Sequence, residues 1–271
     1  KSLENKPDLA LDCFARAVAN WDAYSPEQRE ARHQERKNFI KALYNLASCQ
    51  SSRSKYKAAW ESLQRCLAED KQSGHLKPEH KHFALGKVCY FLAEYDKGVK
   101  HLQMAAQLVG PVEGDYVFEL LARTRLAQGM LEKGLETLRR IPGKNRRPYV
   151  RWTEADLLLG LKKIDEAKEV LLSSVQRDRR AKHKSLIRLA GIAFKEKGFE
   201  ACCRYAEQAD AFHRETYTTP DPDGLFWQAA ALLYLGRVPE ASQKAGELKA
   251  YNPVYPYLQR LLEKIMETGQ A

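Results

Sequence analysis

The feature that most constrains the fold is a pair of small residues, twelve positions apart, that occurs six times along the chain. A bulky apolar residue stands three positions before the second member of each pair. Twelve residues is about the distance from the middle of one helix, through a tight turn, to the facing point on an antiparallel helix. Two small side chains at that point let the two backbones approach closely. The pairs are Ala47 and Ala59, Gly86 and Gly98, Ala122 and Gly134, Ala155 and Ala167, Ala190 and Cys202, and Ala229 and Ala241.

The spacing of apolar residues predicts that the whole chain is helical. These residues recur at intervals of three and four, and the strict alternation typical of half-buried strands is nearly absent. At 271 residues, of which 44% are hydrophobic, the chain has enough apolar material for a core. No stretch approaches the ~20 uncharged apolar residues that cross a bilayer, so we expect no membrane insertion.

The repeated pattern resembles the tetratricopeptide repeat, whose signature places small residues at its eighth and twentieth positions and a proline near its end. Proline stands at the corresponding place in three repeats, as Pro111, Pro142 and Pro253. Equivalent positions in successive second helices are 33 to 49 residues apart, against about 34 in the family. The resemblance covers roughly residues 8 to 252. It implies an all-α fold, a right-handed α-solenoid of antiparallel helix pairs.

We expect residues 1–254 to form the repeat array and residues 255–271 to form a terminal capping helix. The array would contain six complete repeats, preceded by a half repeat in which Ala10, Phe14 and Ala17 mark a second helix. The last segment has an apolar side, which would cover the exposed end of the array. Three positions that are usually apolar in the family are polar in this chain, and we expect weaker packing there. These residues are Arg125, Glu154 and Gln228.

Positive charge is concentrated in one part of the chain. The formal net charge is +10. Between Arg139 and Arg188, fifteen Lys or Arg residues stand against six Asp or Glu residues, a difference of nine positive charges. Aromatic residues are interleaved with these cations, notably Tyr149 and Trp152. Such a stretch favours an acidic partner.

The resemblance also implies where a partner binds. In the family, the first helix of each repeat lines a concave groove, and partners lie across it. Aromatic rings beside Lys or Arg can hold an apolar side chain and pair with a nearby acid. We therefore expect a non-enzymatic scaffold or adaptor that holds an extended or helical, acidic segment of another protein in this groove. The residues assigned to partner binding are Tyr44, Phe83, Lys87, Tyr90, Tyr116, Arg123, Arg147, Tyr149, Arg151, Trp152, Lys184 and Arg188.

Other interpretations of the same residues stay open. Several rings could pack between neighbouring helices while the cations are simply solvated. Self-association through a terminal repeat is another alternative. RNA or another single-stranded nucleic acid could bind residues 139–188, since phosphate neutralisation and base stacking use the same residue types. We do not expect a carboxylate clamp for a chaperone C-terminus, because Glu119, Arg123 and Thr153 replace residues that it needs.

The sequence has no signature of an enzyme, a cofactor or a metal site. Phosphate-binding glycine loops, nucleophile elbows and zinc-protease motifs are absent. The histidines and Glu79 within residues 75–82 are more typical of a solvated turn than of metal ligands. The six cysteines lack zinc-like spacing, so we expect mostly buried, reduced thiols and a cytoplasmic protein. The chain begins at Lys1 rather than at Met, which leaves a removed targeting signal open.

Overall fold

The computed structural model describes residues 7–270. Within these residues the chain forms fifteen α-helices and one 3-10 turn at Gly143–Asn145, with no β-strand, so the all-α prediction is confirmed. The helices are α1 (Pro7–Asp22), α2 (Pro26–Glu30), α3 (His33–Ser52), α4 (Tyr56–Glu69), α5 (Pro78–Phe91), α6 (Tyr95–Glu113), α7 (Asp115–Ala127), α8 (Leu131–Arg139), α9 (Pro148–Gly160), α10 (Ile164–Arg177), α11 (Lys182–Lys195), α12 (Phe199–Tyr217), α13 (Pro222–Tyr234), α14 (Val238–Tyr251) and α15 (Leu258–Gln270).

Twelve of these helices form six consecutive hairpins, each with a first and a second helix. The hairpins are α3 with α4, α5 with α6, α7 with α8, α9 with α10, α11 with α12, and α13 with α14. The small residues predicted from the sequence lie where the two helices of each hairpin face each other, and all twelve are buried. The approach is very close at Gly86, where an added Cβ atom would lie 2.5 Å from Cγ of Leu102. A larger residue at this position would therefore force the helices apart.

Every hairpin turn contains one residue in the left-handed region, five positions before the small residue of the second helix. The φ angles of these residues lie between 58° and 75°. The N–H of the next residue donates to a carbonyl five positions earlier, as from Glu94 to Cys89 at 2.9 Å. All six first helices therefore end in the same hydrogen-bonded turn. The left-handed residues are Ser54, Ala93, Gly129, Lys162, Lys197 and Gly236.

The chain divides into two compact units. Unit 1 ends at Arg146 and contains α1 to α8, whereas unit 2 begins at Arg147 and contains α9 to α15. In unit 1, α1 packs on the first hairpin, with the ring of Trp21 stacked on that of Phe39 at a centroid distance of 5.0 Å. The basic stretch 139–188 begins in unit 1 and ends in unit 2.

The last helix, α15, packs on α13 and α14 in unit 2. Leu258 and Ile265 are buried in the apolar clusters of these helices. The helix begins at Leu258 rather than at Tyr255, because the preceding residue, Tyr257, has a left-handed φ of 64°. One side of α15 is therefore part of the core of unit 2.

Polar residues at usually apolar repeat positions are accommodated by hydrogen bonds. The Arg125 guanidinium donates to the main-chain carbonyl of Lys133 at 2.9 Å and to the hydroxyl of Thr137. Gln228 is only 2% exposed, and its amide nitrogen lies 3.5 Å from the carbonyl of Ala206. Since buried polar groups that find partners cost little, packing at Gln228 is tighter than we expected from the sequence.

Candidate partner-binding faces

The first helices of neighbouring hairpins contact one another within each unit, and their side chains form one face per unit. In unit 1, α5 packs beside α7, and in unit 2, α11 packs beside α13. All the residues predicted to bind a partner lie on first helices, except Arg147, which directly precedes α9. Arg147 is exposed and Tyr149, in the first turn of α9, is half-buried.

The unit 1 face consists of Tyr44 on α3, Phe83 and Lys87 on α5, and Tyr116 on α7. The first three of these residues line a cleft of about 110 Å³. The rings of Phe83 and Tyr116 meet edge to face, with their centroids 4.7 Å apart. Burial raises the pKa of the Tyr44 and Tyr116 hydroxyls, which keeps both protonated. A cleft of this size suits one small side chain, with the exposed Lys87 beside it.

Two other predicted residues of unit 1 do not line this cleft. The ring of Tyr90 lies at the end of α5, where it contacts the rings of Phe91 and Tyr95. The Arg123 guanidinium donates to the Glu119 carboxylate, one helical turn away, at 2.9 and 2.5 Å. Tyr90 therefore packs among rings at the end of α5, and Arg123 is paired with an acid of its own helix.

The unit 2 face consists of Trp152 and Asp156 on α9, Lys184 and Arg188 on α11, and Asp223 on α13. The Arg188 guanidinium carbon lies 5.2 Å from the centroid of the Trp152 ring, and Arg188 Nε lies 3.2 Å from Asp156 Oδ1. Lys184 Nζ lies 3.8 Å from Asp223 Oδ2. The four charged side chains are 30% to 44% exposed. Both cations are therefore already paired with acids of neighbouring first helices, and water reaches both pairs.

A chain of hydrogen bonds holds Trp152 in place. Its indole N–H donates to Ser185 Oγ at 2.9 Å, and the Ser185 hydroxyl donates to Ser174 Oγ at 3.0 Å. The Ser174 hydroxyl in turn donates to the Asp178 carboxylate. Arg151 pairs with the same carboxylate at 3.0 Å, and its side chain is only 12% exposed. Arg151 thus lies beneath the unit 2 face, where it orients the Asp178 carboxylate at the end of the series of hydrogen bonds from Trp152.

The turn between α10 and α11 carries three exposed arginines that were not assigned to partner binding from the sequence. Arg177 ends α10, and Arg179 and Arg180 precede α11. None of the three has an ion-pair partner within residues 7–270. The hydroxyl of Tyr217 donates to the main-chain carbonyl of Arg180 at 2.8 Å, which anchors the turn. These arginines could not be distinguished from paired cations by counting charges.

Comparison with known proteins identifies the fold to which this arrangement of hairpins belongs. No protein-family model matches the sequence, and no curated protein matches it significantly. Among solved structures, PilW, a type IV pilus biogenesis factor, superposes with a TM-score of 0.62 at 13% identity, over 82% of this chain and 98% of that chain. A tetratricopeptide-repeat protein of Parabacteroides merdae superposes with a TM-score of 0.59 at 14% identity, over 93% and 98%. The chain has the tetratricopeptide-repeat fold. The protein pilF of Pseudomonas aeruginosa is also similar, with a TM-score of 0.59 at 16% identity, over 85% and 100%.

Most thiols of this tetratricopeptide-repeat chain are buried and unreactive. All six cysteines are free, and Cys13 is exposed. A high pKa leaves little of the thiolate, which is the nucleophile and metal ligand. Burial raises the pKa to about 11 or about 12 in Cys66, Cys89, Cys202 and Cys203.

Within residues 7–270, no group of three or more His, Cys, Asp or Glu side chains is arranged to hold a metal ion. A pair of histidines nevertheless meets on unit 1, where the Nδ1 atoms of His82 and His101 are 3.0 Å apart. Burial lowers the pKa of both imidazoles. In the same part of the chain, no helix is long and apolar enough to span a membrane.

Proposed function

We propose that this chain is a non-enzymatic scaffold that holds a segment of a partner protein against the first helices of its hairpins. The unit 2 face carries the proposal, because the half-buried ring of Trp152 lies beside two half-exposed cations, Arg188 and Lys184. Trp and Arg are among the residues that contribute most of the binding energy at protein interfaces. The ring is also fixed by its hydrogen bond to Ser185, so little side-chain entropy is lost on binding.

The charges of this face favour an acidic segment. An exposed ion pair contributes about 0–1 kcal/mol. A partner carboxylate can therefore replace Asp223 beside Lys184 with only a small loss of free energy. Arg177, Arg179 and Arg180 add unpaired positive charge within the same unit. Exposed charge of one sign accelerates encounter with a partner of opposite sign. In this proposal the face selects the segment, and the three arginines attract it.

The unit 1 face supplies a second point of attachment of different character. The lining of its cleft includes the rings of Tyr44 and Phe83, and Lys87 is the charged residue in this lining. We assign to it one small apolar side chain of the partner, flanked by an acid that pairs with Lys87. In this proposal each face binds a short segment by itself.

Selection from a displayed library of random peptides on the purified chain tests the proposal. We expect enrichment of peptides that combine Asp or Glu with an apolar residue. Trp152→Ala should weaken their binding by about 2 kcal/mol or more, because an anchored ring loses its whole contact area. Arg147→Glu combined with Lys184→Glu should slow association, as measured by surface plasmon resonance at low and high salt.

Arg204→Glu is the matched control, since Arg204 is exposed on the second helix α12 and lies off the unit 2 face. This variant should bind the selected peptides as wild type does. If Trp152→Ala binds the selected peptides as tightly as wild type does, the unit 2 face is not the binding surface. The nucleic acid alternative would replace it if the chain bound a single-stranded RNA probe with steep salt dependence while selecting no peptide.

A further inference from the structure

A polar cleft of about 330 Å³ lies on unit 1, and α6, α7 and the end of α8 all contribute to its lining. It shares no residue with the 110 Å³ cleft of the unit 1 face. Its volume is at the lower end of the range for small-molecule sites, about 300–1,000 Å³. The polar side chains in its lining are Gln103, Gln107, Arg125, Glu136, Thr137 and Arg140.

The Arg140 guanidinium is held at this cleft by an aromatic ring and has no acid beside it. Its Cζ lies 4.6 Å from the centroid of the ring of Phe118, a fully buried residue of α7. The ring attracts the cation but accepts none of its N–H groups as a carboxylate does. Among the residues that the structure describes, none forms an ion pair or a hydrogen bond with this guanidinium. Its N–H groups are therefore available to a ligand.

Arg125 presents further donors to the same cleft. Its Nη1 donates to the carbonyl of Lys133 at 2.9 Å and to the hydroxyl of Thr137, which fixes the side chain against α8. Its Nε and Nη2 form no hydrogen bond within residues 7–270, and solvent reaches both atoms. Burial lowers the pKa of Arg125, and the charge of Arg140 lowers it further, against the opposite effect of Glu136. The two guanidiniums thus lie close enough to repel each other, and an anion bound by both relieves that repulsion.

We propose that this two-arginine cleft binds a small organic carboxylate, held by the guanidiniums of Arg125 and Arg140. The planar guanidinium matches the two oxygens of a carboxylate. Gln103 and Gln107 are exposed, and neither amide is hydrogen-bonded in the part of the chain that the structure describes. These amides can therefore bond to a hydroxyl or carbonyl group elsewhere on the ligand. The site lies apart from the first helices, so it is independent of the proposed partner-binding faces.

The charges of the lining favour an anion with a single negative charge. Arg125 and Arg140 contribute two positive charges and Glu136 one negative charge, so the lining carries a net charge of +1. A monocarboxylate balances this charge. A phosphate group carries about −1.5 to −2 at pH 7 and is repelled more strongly by the Glu136 carboxylate. Glu136 therefore selects against phosphate and limits the affinity for any anion.

Titration of the ¹⁵N-labelled chain with lactate and with propionate, at constant ionic strength, tests the proposal by nuclear magnetic resonance. We expect saturable shifts of the Gln103 and Gln107 side-chain amides and of Arg125 Nε–H. Lactate should bind more tightly than propionate, because its hydroxyl can bond to the amides. Arg140→Gln should weaken lactate binding by about tenfold or more, since it removes charge-assisted hydrogen bonds. Glu136→Gln should strengthen it by about two- to fivefold.

Arg139→Gln is the matched control, because Arg139 is exposed beside Arg140 in the chain but does not line the cleft. It removes the same charge and should bind lactate as wild type does. Arg140→Lys keeps the charge without the planar fork and should also weaken binding. This variant replaces Arg140→Gln if circular dichroism shows that the latter does not fold.

Equal lactate binding by the Arg140 and Arg139 variants, or no saturable shift in wild type, would overturn the site. Tighter binding of inorganic phosphate than of lactate would overturn its preference for a carboxylate. Shifts of the same side chains with an acidic peptide, but not with lactate or propionate, would overturn its assignment to a small molecule.

Discussion

His183, in the first turn of α11, is a buried imidazole surrounded by aromatic rings. It is 5% exposed and contacts the rings of Phe212 and Tyr217. Its Nδ1 has no hydrogen-bond partner among the residues that the structure describes. Burial, with a smaller contribution from the charge of Lys184, lowers the pKa of His183 to about 4. The folded chain therefore holds this ring neutral at a pH where an exposed histidine is charged.

This residue makes the stability of unit 2 depend on pH. From its ordinary pKa of 6.5 down to about 4, the unfolded chain binds a proton at His183 that the folded chain does not. The free energy of unfolding should therefore fall as the pH drops through this window, by up to about 3 kcal/mol. His183→Phe should flatten the dependence in urea titrations between pH 7 and pH 4.5, with His183→Leu as a smaller substitute. His80→Gln is the control. If the His183 variants show the same pH dependence of the free energy of unfolding as wild type and this control, the dependence arises from other groups.

At the residue scale, the sequence predicted candidate binding residues but not which of their side chains are paired. Trp152, Lys184 and Arg188 were assigned to the binding surface from their residue types and from the resemblance to the tetratricopeptide repeat. The acid beside Arg188 is 32 residues away in the chain, because the ion pair joins helices of successive hairpins. His82 also meets a residue that is distant in the sequence, His101 on the second helix of the same hairpin. Such pairs depend on the register between helices, which composition and charge counts do not contain.

The hairpin turn is the element that every repeat shares without alteration. Its left-handed residue is glycine in only two of six cases, Gly129 and Gly236. A non-glycine residue in this conformation costs about 1–2 kcal/mol, because its Cβ crowds the following carbonyl. The turns at Ser54, Ala93 and Lys162 therefore hold strain that the surrounding packing offsets.

Exchanging glycine and alanine at these turns should change stability in opposite directions. Ala93→Gly should raise the free energy of unfolding by about 0.5–1 kcal/mol, the relief of strain less the greater entropy of the unfolded chain. Gly236→Ala should lower it by about 1 kcal/mol or more, since an added Cβ meets no neighbour and only the backbone conformation opposes it. Chemical denaturation measures both changes.

Ala211→Gly provides the control, because Ala211 is exposed in the interior of α12, where glycine lowers stability by about 1 kcal/mol. Destabilisation by Ala93→Gly to the same extent as by Ala211→Gly would show that the turn is not strained. The left-handed conformation of this turn residue was not predicted from the sequence. Four of the six residues there are not glycine, so the usual indication of a left-handed turn was missing.

At the scale of the molecule, contacts between successive hairpins stabilise each unit. Unit 2 also depends on α15, which covers its last hairpin. The buried cluster that includes Ala229, Ala241 and Ala245 also contains Leu261 and Ile265 of α15. Small alanines bury little area each, so the larger side chains of α15 contribute much of the apolar contact at this end. The amphipathic pattern of this segment was visible in the sequence, whereas its start at Leu258 depended on the backbone of Tyr257.

Removal of residues 255–271 should therefore destabilise unit 2 and expose an apolar surface. We expect a lower melting temperature and concentration-dependent self-association in sedimentation velocity, because an uncovered repeat end can pack against another copy. Removal of residues 267–271 alone is the control, since it leaves the buried Leu258, Leu261 and Ile265 in place. If the longer deletion melts like wild type and stays monomeric, α15 is not a cap.

The uniform hairpin turn also determines where this chain can accept extra length. An insertion within a turn would shift the small residues out of alignment, because their separation of twelve residues is the same in every hairpin. The connections between hairpins differ in length and carry exposed residues such as Lys144. A grafted epitope or reporter domain is therefore best placed in those connections, where the helices on either side keep their internal alignment.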